Sequence, residues 1–200
     1  MLTFLCAAAL ITPFMEEIGS LVAQNPNQMN IKEYGRIAET LLEKGPCNLL
    51  VFGTGRDSDL YLRINAEGTT LFIEDNPKWI AYAKEHNPQI QIVPVTYKTH
   101  RFEARKYLKL EHLNTLALDL PKEVTKRVWD VIIVDAPSGY APDQPGRMQS
   151  IYTAATLAKK GCDVFVHDCD RATERLYSDH LFSRKDLMEV YERTRHYRLK

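Results

Sequence analysis

The feature that most constrains the fold is a short apolar run that ends in two glycines. The run Asn48–Phe52 leads directly into Gly53-Thr-Gly55. A run this short cannot form an ordinary helix and is typical of a strand that is buried on both faces of a parallel sheet. Glycines at the C-terminal end of such a strand allow a tight turn and let a ligand approach the backbone closely. The alternative is that they only turn a buried strand into a helix.

The residues that follow this turn predict a nucleoside-binding site. Asp57 and Ser58 are suitable N-caps, so the free N–H groups of the next helix would face the turn. About twenty residues after the turn, a second strand ends in Glu74-Asp75, where an acidic side chain commonly accepts hydrogen bonds from ribose hydroxyls. Ser58 stands where the dinucleotide fingerprint has its third glycine, which favours S-adenosylmethionine over NAD. The predicted donor-binding residues are Gly53, Thr54, Gly55, Asp57, Ser58, Glu74 and Asp75, with Asp75 as the alternative ribose contact.

Composition limits the classes of protein to consider. The 200 residues, 44% of them hydrophobic, suffice for one domain with a substantial core. The 26 basic and 26 acidic residues balance, so no global charge attracts nucleic acid. The four cysteines, Cys6, Cys47, Cys162 and Cys169, form no Cys-x-x-Cys pair, which favours a reducing compartment over a thiolate zinc site.

The N-terminal stretch Met1–Phe14 is apolar and uncharged. It is shorter than a membrane span and lacks the basic start of a signal peptide. We therefore expect no stable membrane span and interpret this stretch as a helix packed on the domain or on another subunit. The remnant of a signal anchor is the alternative.

Strands alternate with helices along the remainder of the chain, which predicts an α/β fold with a parallel sheet and right-handed crossovers. Helices over 1–24 and 31–44 form a predicted N-terminal helical cap, residues 1–44, without chemistry of its own. Residues 45–200 form a predicted Rossmann-like domain. Its predicted strands are 48–52, 70–73, 89–95, 129–134, 161–166 and a closing strand over 188–197. Its predicted helices are 58–65, 77–86, 148–159 and 173–181, with a short helix or turn within 116–125.

Three polar residues follow two of these strands directly: Asp135 after the fourth, and His167-Asp168 after the fifth. The C-terminal ends of parallel strands meet at one rim, so these residues should converge with Gly53, Gly55 and Glu74. Two carboxylates and an imidazole could bind Mg²⁺, Mn²⁺ or Co²⁺. Methyl transfer to an aliphatic hydroxyl needs such a group, because the oxygen must be aligned and partly deprotonated. The alternative is that Asp135 caps a helix and His167 is an ordinary buried histidine.

The segment after Asp135 contains three prolines and two glycines and ends at Arg147, which predicts a shaped loop over the cleft. A basic run over 96–109, which includes Arg101 and Arg105, is typical of a solvated face. A site for an anionic substrate is the alternative for that run.

Five stretches together resemble a plant polysaccharide-biosynthesis family that includes glucuronoxylan 4-O-methyltransferases. They are residues 46–58, 129–140, 145–148, 151–154 and 164–168, in the family's order, and the resemblance covers roughly residues 35–182. It implies a class I methyltransferase fold, S-adenosylmethionine as donor, a divalent cation, and methylation of the 4-hydroxyl of a glucuronic acid unit. The acceptor would be a small molecule or an oligosaccharide that bears a uronic acid, bound through Arg147, Tyr140 and Arg101. The long stem and membrane anchor of the family are missing from this sequence, so we expect a cytoplasmic protein. A homo-oligomer is a further expectation.

A more distant similarity concerns the mechanism. Metal-dependent catechol-type O-methyltransferases hold their metal with an Asp after the fourth strand and an Asp-Asn pair after the fifth, where this chain has Asp135 and His167-Asp168. Those enzymes carry a lysine base three residues after the first Asp, and Ser138 stands there instead. We therefore expect Asp168 or His167 to act as the general base. A nucleotide-dependent oxidoreductase and a non-catalytic subunit of a polysaccharide-assembly complex are the alternative functions.

Overall fold

A single mixed sheet forms the centre of the computed structural model, which describes residues 2–200, with side chains described from residue 11 onward. The strands are β1 (Asn48–Phe52), β2 (Thr69–Glu74), β3 (Ile92–Pro94), β4 (Val131–Val134), β5 (Asp163–Val166), β6 (Leu187–Tyr191) and β7 (Thr194–Arg198). Their order across the sheet is β3-β2-β1-β4-β5-β7-β6. Strands β1 to β5 are parallel, whereas β7 and β6 are antiparallel to their neighbours. The predicted mostly parallel α/β fold is confirmed.

Helices connect the parallel strands and cover both faces of the sheet. They are α1 (Leu2–Gln24), α2 (Ile31–Lys44), α3 (Ser58–Ile64), α4 (Pro77–His86), α5 (Ala104–Tyr107), α6 (Leu110–Leu113), α7 (Lys122–Thr125), α8 (Met148–Leu157) and α9 (Ala172–Leu181). Two 3₁₀ turns, Arg101–Glu103 and Asn114–Leu116, lie in the long connection between β3 and β4. These bounds agree with most of the predicted elements to within a few residues.

Alternate residues of the central strands face opposite helical layers. Leu50 and Phe52 pack in one apolar cluster with α8 and α9, while Leu49 and Val51 pack in another with α1 to α4. Burial on both faces is the reason that these strands are nearly continuous apolar runs.

The N-terminal helices belong to one of these layers. Ile18 of α1 and Ile37 and Leu41 of α2 are buried in the same cluster as Leu49. Among the described residues, no helix is long and apolar enough to cross a membrane. Met1 lies outside the described residues. Cys47, Cys162 and Cys169 are buried free thiols, and the side chain of Cys6 is among those not described.

Two strand predictions need correction. The third strand covers only Ile92–Pro94, because the residues before it form a turn in which the Ile90 amide donates to the Asn87 carbonyl at 3.1 Å. The single closing strand was wrong, since 188–197 belongs to the hairpin of β6 and β7. Its turn at Glu192, with φ of 52°, carries none of the glycine or asparagine signals that usually identify a hairpin.

The strand order places a topological switch point at β1. The chain moves from β1 to β2 and β3 on one side and later adds β4 and β5 on the other side. The crevice that forms at such a point lies beyond the C-terminal ends of β1 and β4, which is where ligands bind in open α/β sheets.

Candidate functional site

A cavity of about 500 Å³ opens at this switch point. Its volume is within the usual range for small-molecule sites. The predicted grouping of strand-end residues is found here, because the lining includes Gly53, Gly55, Glu74, Asp135, His167 and Asp168. Side chains from other segments complete the wall, among them Tyr34, Arg56, Trp79, Tyr140 and Arg171.

The turn after β1 is held by close backbone contacts. Gly53 has a φ of +111°, and a Cβ at this position would lie 3.0 Å from the Cβ of Ala136. The amide of Gly53 donates to the Ile73 carbonyl at 2.8 Å. The amide of Gly55 donates to Ser58 Oγ at 2.9 Å. A side chain at position 53 would therefore be strained and would push against the loop that follows β4.

Glu74 connects this turn with the end of β2. Its Oε2 accepts hydrogen bonds from the amide and the hydroxyl of Thr54, at 2.7 and 3.1 Å. Its Oε1 accepts from the amides of Asp75 and Asn76, at 2.9 and 2.7 Å. A carboxylate has about four acceptor positions, so this buried side chain is already fully hydrogen-bonded. The Asp75 carboxylate makes fewer hydrogen bonds than that of Glu74. Burial, together with the nearby charge of Glu74, raises the pKa of Asp75 to about 6.

Asp57 faces the same cavity from the start of α3. It occupies the N-cap position, but its side chain makes no capping hydrogen bond, contrary to the sequence prediction. Its Oδ2 instead accepts from the hydroxyl of Tyr34 at 3.2 Å. Burial, followed by the nearby charge of Asp135, raises the pKa of Asp57 to about 6. A carboxylate in this position favours a cationic ligand, because a positive charge nearby would stabilise its ionised form.

Beyond the ends of β4 and β5, Arg147 joins two carboxylates. Its Nη2 lies 2.9 Å from Asp135 Oδ1 and 2.6 Å from Asp168 Oδ2, and the residue is only 5% exposed. Asp168 also contacts Arg171 Nη1 at 2.9 Å and Arg193 Nη1 at 3.4 Å. Burial alone would raise the pKa of Asp168, but these cations, Arg147 foremost, lower it. Asp168 has a φ of 61°, a conformation that aspartate tolerates better than most residues.

His167 is buried beside Asp168, and its ring nitrogen Nδ1 contacts residues that lie outside the cavity. Its Nδ1 lies 2.9 Å from Thr194 Oγ1 and 3.3 Å from Glu33 Oε1. Its Nε2 lies 3.4 Å from Asp168 Oδ1. Burial would raise the pKa of Glu33, but hydrogen bonds, the first of them from His167, lower it to about 2.

Sequence analysis missed the two contributions of α2, Glu33 and Tyr34. The N-terminal helices are predicted from the sequence to have no chemistry of their own, but both side chains reach groups that line the cavity. The available signal was the capping box, in which Asn30 and Glu33 satisfy each other's backbone amides. That pattern predicts a helix start and says nothing about a distant histidine.

The three residues predicted to bind the acceptor differ in their placement. Tyr140 lines the cavity and is 73% exposed. Arg147 also lines it, but its guanidinium is paired with the two carboxylates. Arg101 lies behind the loop, where its Nη1 donates to the carbonyls of Gly139 and Tyr140 at 2.7 and 3.1 Å. Arg171, which sequence analysis did not select, lines the cavity and is partly exposed.

The donor set fits a divalent cation in type and spacing. One ligand atom from each of Asp135, His167 and Asp168 lies within 4.8 Å of the others. Two carboxylates and an imidazole suit Mn²⁺ or Co²⁺. The contact of Glu33 with His167 Nδ1 is the kind of second contact that metal-binding histidines usually make. A cation at these oxygens would have to displace the guanidinium of Arg147.

Comparison with known proteins identifies related sequences along nearly the whole chain. The family described as IRX15/IRX15L/GXM matches residues 32–197. Arabinogalactan O-methyltransferase 2 of Arabidopsis thaliana is 33% identical over 86% of this chain and 67% of its own length. Protein IRX15-LIKE of Arabidopsis thaliana is 40% identical over 76% and 55%. Glucuronoxylan 4-O-methyltransferase 3 of Arabidopsis thaliana is 36% identical over 85% and 63%. The chain thus spans between just over half and two thirds of the length of these relatives.

Solved structures of methyltransferases share the fold. A putative caffeoyl-CoA O-methyltransferase from Staphylococcus aureus has a TM-score of 0.57 and 17% identity, and the match covers 96% of this chain and 97% of the other. The SAH-bound Podospora anserina methyltransferase PaMTH1 has a TM-score of 0.55 and 12% identity, with coverage of 96% and 88%. At these identities the match shows the fold, which is that of a class I methyltransferase.

Proposed function

Because the chain belongs to the IRX15/IRX15L/GXM family, we propose that it is an S-adenosylmethionine-dependent O-methyltransferase that methylates a sugar hydroxyl, the 4-OH of a glucuronic acid unit or conjugate. Family membership and the class I methyltransferase fold together support the enzyme class and the donor. The observation that carries the proposal is that the turn after β1, residues 53–55 (the Gly53 turn), lines the same cavity as Asp135, His167 and Asp168.

The donor would bind on the side of β1 and β2. Gly53 and Gly55 leave the backbone open to a ligand, and Thr54 and Ser58 hold the turn in shape through their hydroxyls. Ribose hydroxyls would donate to Asp75, with Glu74 behind it. The donor carries a sulfonium and an ammonium group, and Asp57 supplies a carboxylate that favours a cation.

The acceptor hydroxyl would bind opposite, in front of Asp135 and His167. In the transfer, the oxygen forms a bond to the methyl carbon, the sulfonium–carbon bond breaks, and S-adenosylhomocysteine leaves. The hydroxyl proton must go to a base within hydrogen-bond reach. Asp168 is a weak candidate, because its three arginine neighbours lower its pKa. His167 Nε2, directed at the cavity, is the better candidate.

We also propose that Asp135, His167 and Asp168 hold a divalent cation, Mg²⁺, Mn²⁺ or Co²⁺, in which case the one lone pair of His167 Nε2 binds the ion and His167 is not the base. Such an ion lowers the pKa of a bound hydroxyl and fixes its orientation. Arg147 neutralises the same two carboxylates, so guanidinium and metal compete for one position. For the carboxylate of a uronic acid, Arg171 and Tyr140 are the available groups on this wall, with Arg147 available whenever it is released from the aspartates.

Calorimetry and transfer assays test the proposal. We expect the folded protein to bind S-adenosylmethionine and to methylate glucuronic-acid-bearing xylan oligosaccharides. NAD(H) binding in place of the donor would support an oxidoreductase instead. Donor binding without transfer to any uronic acid acceptor would support a non-catalytic binding subunit.

Two further expectations concern the protein as a whole. The buried free thiols of Cys47, Cys162 and Cys169 support a reducing compartment such as the cytoplasm. A homo-oligomer stays a prediction, which size-exclusion chromatography with light scattering would test.

A further inference from the structure

A buried hydrogen-bond chain links α2 with His167. Thr194, the first residue of β7, donates from Oγ1 to Glu33 Oε1 at 2.7 Å. The same Oγ1 lies 2.9 Å from His167 Nδ1. Glu33, Thr194 and His167 are each at most 2% exposed, so water does not compete for these bonds. Three segments far apart in sequence thus meet behind one imidazole.

The hydrogen-bond acceptors in this chain determine which atoms carry the protons. Each oxygen of Glu33 already accepts a backbone amide, Oε2 from Asn30 at 2.8 Å and Oε1 from Arg193 at 3.1 Å. The carboxylate is therefore an acceptor throughout, and the single hydroxyl proton of Thr194 points toward it. Thr194 Oγ1 can then only accept from the ring, which requires a proton on His167 Nδ1. In the neutral ring, the lone pair is left on Nε2, which faces Asp168 and the cavity.

We infer that Glu33 and Thr194 are positioning residues that hold His167 in the tautomer with the proton on Nδ1 and a free lone pair on Nε2. That lone pair is what a proton acceptor or a metal ligand needs, so the arrangement serves either use of His167. The catalytic consequence rests on the proposed function, whereas the tautomer does not. By this inference the helix α2 sets the chemistry at the end of β5.

A simpler explanation is that Glu33 only caps its helix. The chain offers a matched control, because Asn30 Oδ1 accepts the amides of Lys32 and Glu33 without touching the histidine. Asn30→Ala removes the larger share of the cap and leaves the contact between Glu33 and His167 in place. Glu33→Leu keeps much of the side-chain volume and removes the acceptor of the Thr194 hydroxyl, which is then free to donate to His167 Nδ1.

Nitrogen-15 NMR of histidine-labelled protein measures the tautomer directly, with His167→Gln used to assign the signal. We expect wild type and Asn30→Ala to show a protonated Nδ1 and an unprotonated Nε2 in neutral His167. Glu33→Leu should shift the tautomer toward a proton on Nε2, because the Thr194 hydroxyl can then donate to Nδ1, whereas Thr194→Ser should keep the wild-type signal. A wild-type ring that is protonated on Nε2, or an unchanged His167 signal in Glu33→Leu, would overturn the inference.

Kinetics separate positioning from general damage to the fold. Removing partners of this kind lowers activity by about 10- to 100-fold, so kcat of Glu33→Leu should fall by that amount while the Kd for S-adenosylmethionine stays within about twofold. Asn30→Ala should lower Tm but leave kcat unchanged. Equal losses of kcat in both variants would overturn the positioning role. If the wild type transfers no methyl group, the proposed function fails, and the NMR measurement still decides the tautomer.

Discussion

The two ends of β5 carry similar charge clusters with different surroundings. Asp163 begins the strand and Asp168 follows it, and both carboxylates are buried. Asp163 is contacted by three basic side chains, His196, Arg198 and Lys44, and Asp168 by four, Arg147, Arg171, Arg193 and His167. Only Asp168 lines the cavity at the switch point.

The difference shows that a buried charge cluster does not by itself indicate a site. Lys44 ends α2 and Arg198 ends β7, so the Asp163 cluster fastens a helix and a strand to the N-terminal end of β5. The Asp168 cluster lies at the carboxyl end, where parallel strands leave a crevice. The polarity of the strand, rather than the composition of the cluster, separates the structural group from the candidate catalytic group.

The largest expected effect is on the cavity side. Asp135→Asn removes a charge that faces the cavity, and we expect kcat to fall by about 10²- to 10⁴-fold if this carboxylate aligns or helps to deprotonate the acceptor. Donor affinity, measured by calorimetry, should be retained because asparagine keeps the size and shape of Asp135, and the proposed donor contacts come from other residues, on β1, β2 and α3. Unchanged turnover would remove Asp135 from the mechanism.

The corresponding change at the other end of the strand should affect stability alone. Asp163→Asn leaves three basic groups without a buried counter-charge, and breaking such a group costs about 3–5 kcal/mol. Urea unfolding measures this loss. The folded variant should keep the wild-type kcat. A large loss of kcat under conditions in which the variant is fully folded would show that the Asp163 cluster is not purely structural.

The Asp163 cluster also predicts that the stability of the protein depends on pH in the acidic range. Burial alone would raise the pKa of Asp163, but hydrogen bonds from His196, Arg198 and Lys44 lower it from 3.8 to about 2. A lowered folded-state pKa stabilises the protein above the unfolded-state value of 3.8, and this is lost as the pH falls through 2. The stability difference between wild type and Asp163→Asn should therefore shrink by about 2 kcal/mol between pH 5 and pH 2. A constant difference across this range would show that the charge of Asp163 is not the stabilising feature.

The smallest effect concerns competition for the two carboxylates. Arg147→Met removes the guanidinium between Asp135 and Asp168 and keeps much of its apolar volume. If a metal binds there, Mn²⁺ affinity measured by electron paramagnetic resonance should rise by about tenfold, which corresponds to about 1.4 kcal/mol. Arg195→Met, which removes an exposed pairing with Asp179, is a control that should leave Mn²⁺ affinity unchanged. Absence of Mn²⁺ binding by both variants would contradict the metal proposal.

What could be predicted from sequence was local. The Gly53 turn and the polar residues after β4 and β5 follow from short apolar runs and strand polarity, which need no knowledge of distant contacts. The partners of His167 could not be predicted, because Glu33 is 134 positions away in the sequence and reaches the histidine only after α2 has packed on the sheet. The pairing of Arg147 with both aspartates likewise depends on how the loop after β4 folds back.

Hydrogen bonds from side chains that do not line the cavity hold the loop between β4 and α8. Arg101 binds the carbonyls of Gly139 and Tyr140, and the side chain of Gln144 accepts the amides of Tyr140 and Ala141. Its backbone is thus fixed independently of whatever side chain projects from position 140. Such a loop allows the side chain at position 140, which lines the cavity, to change without refolding of the loop. One wall of the cavity can therefore be reshaped by a single substitution while its backbone stays in place.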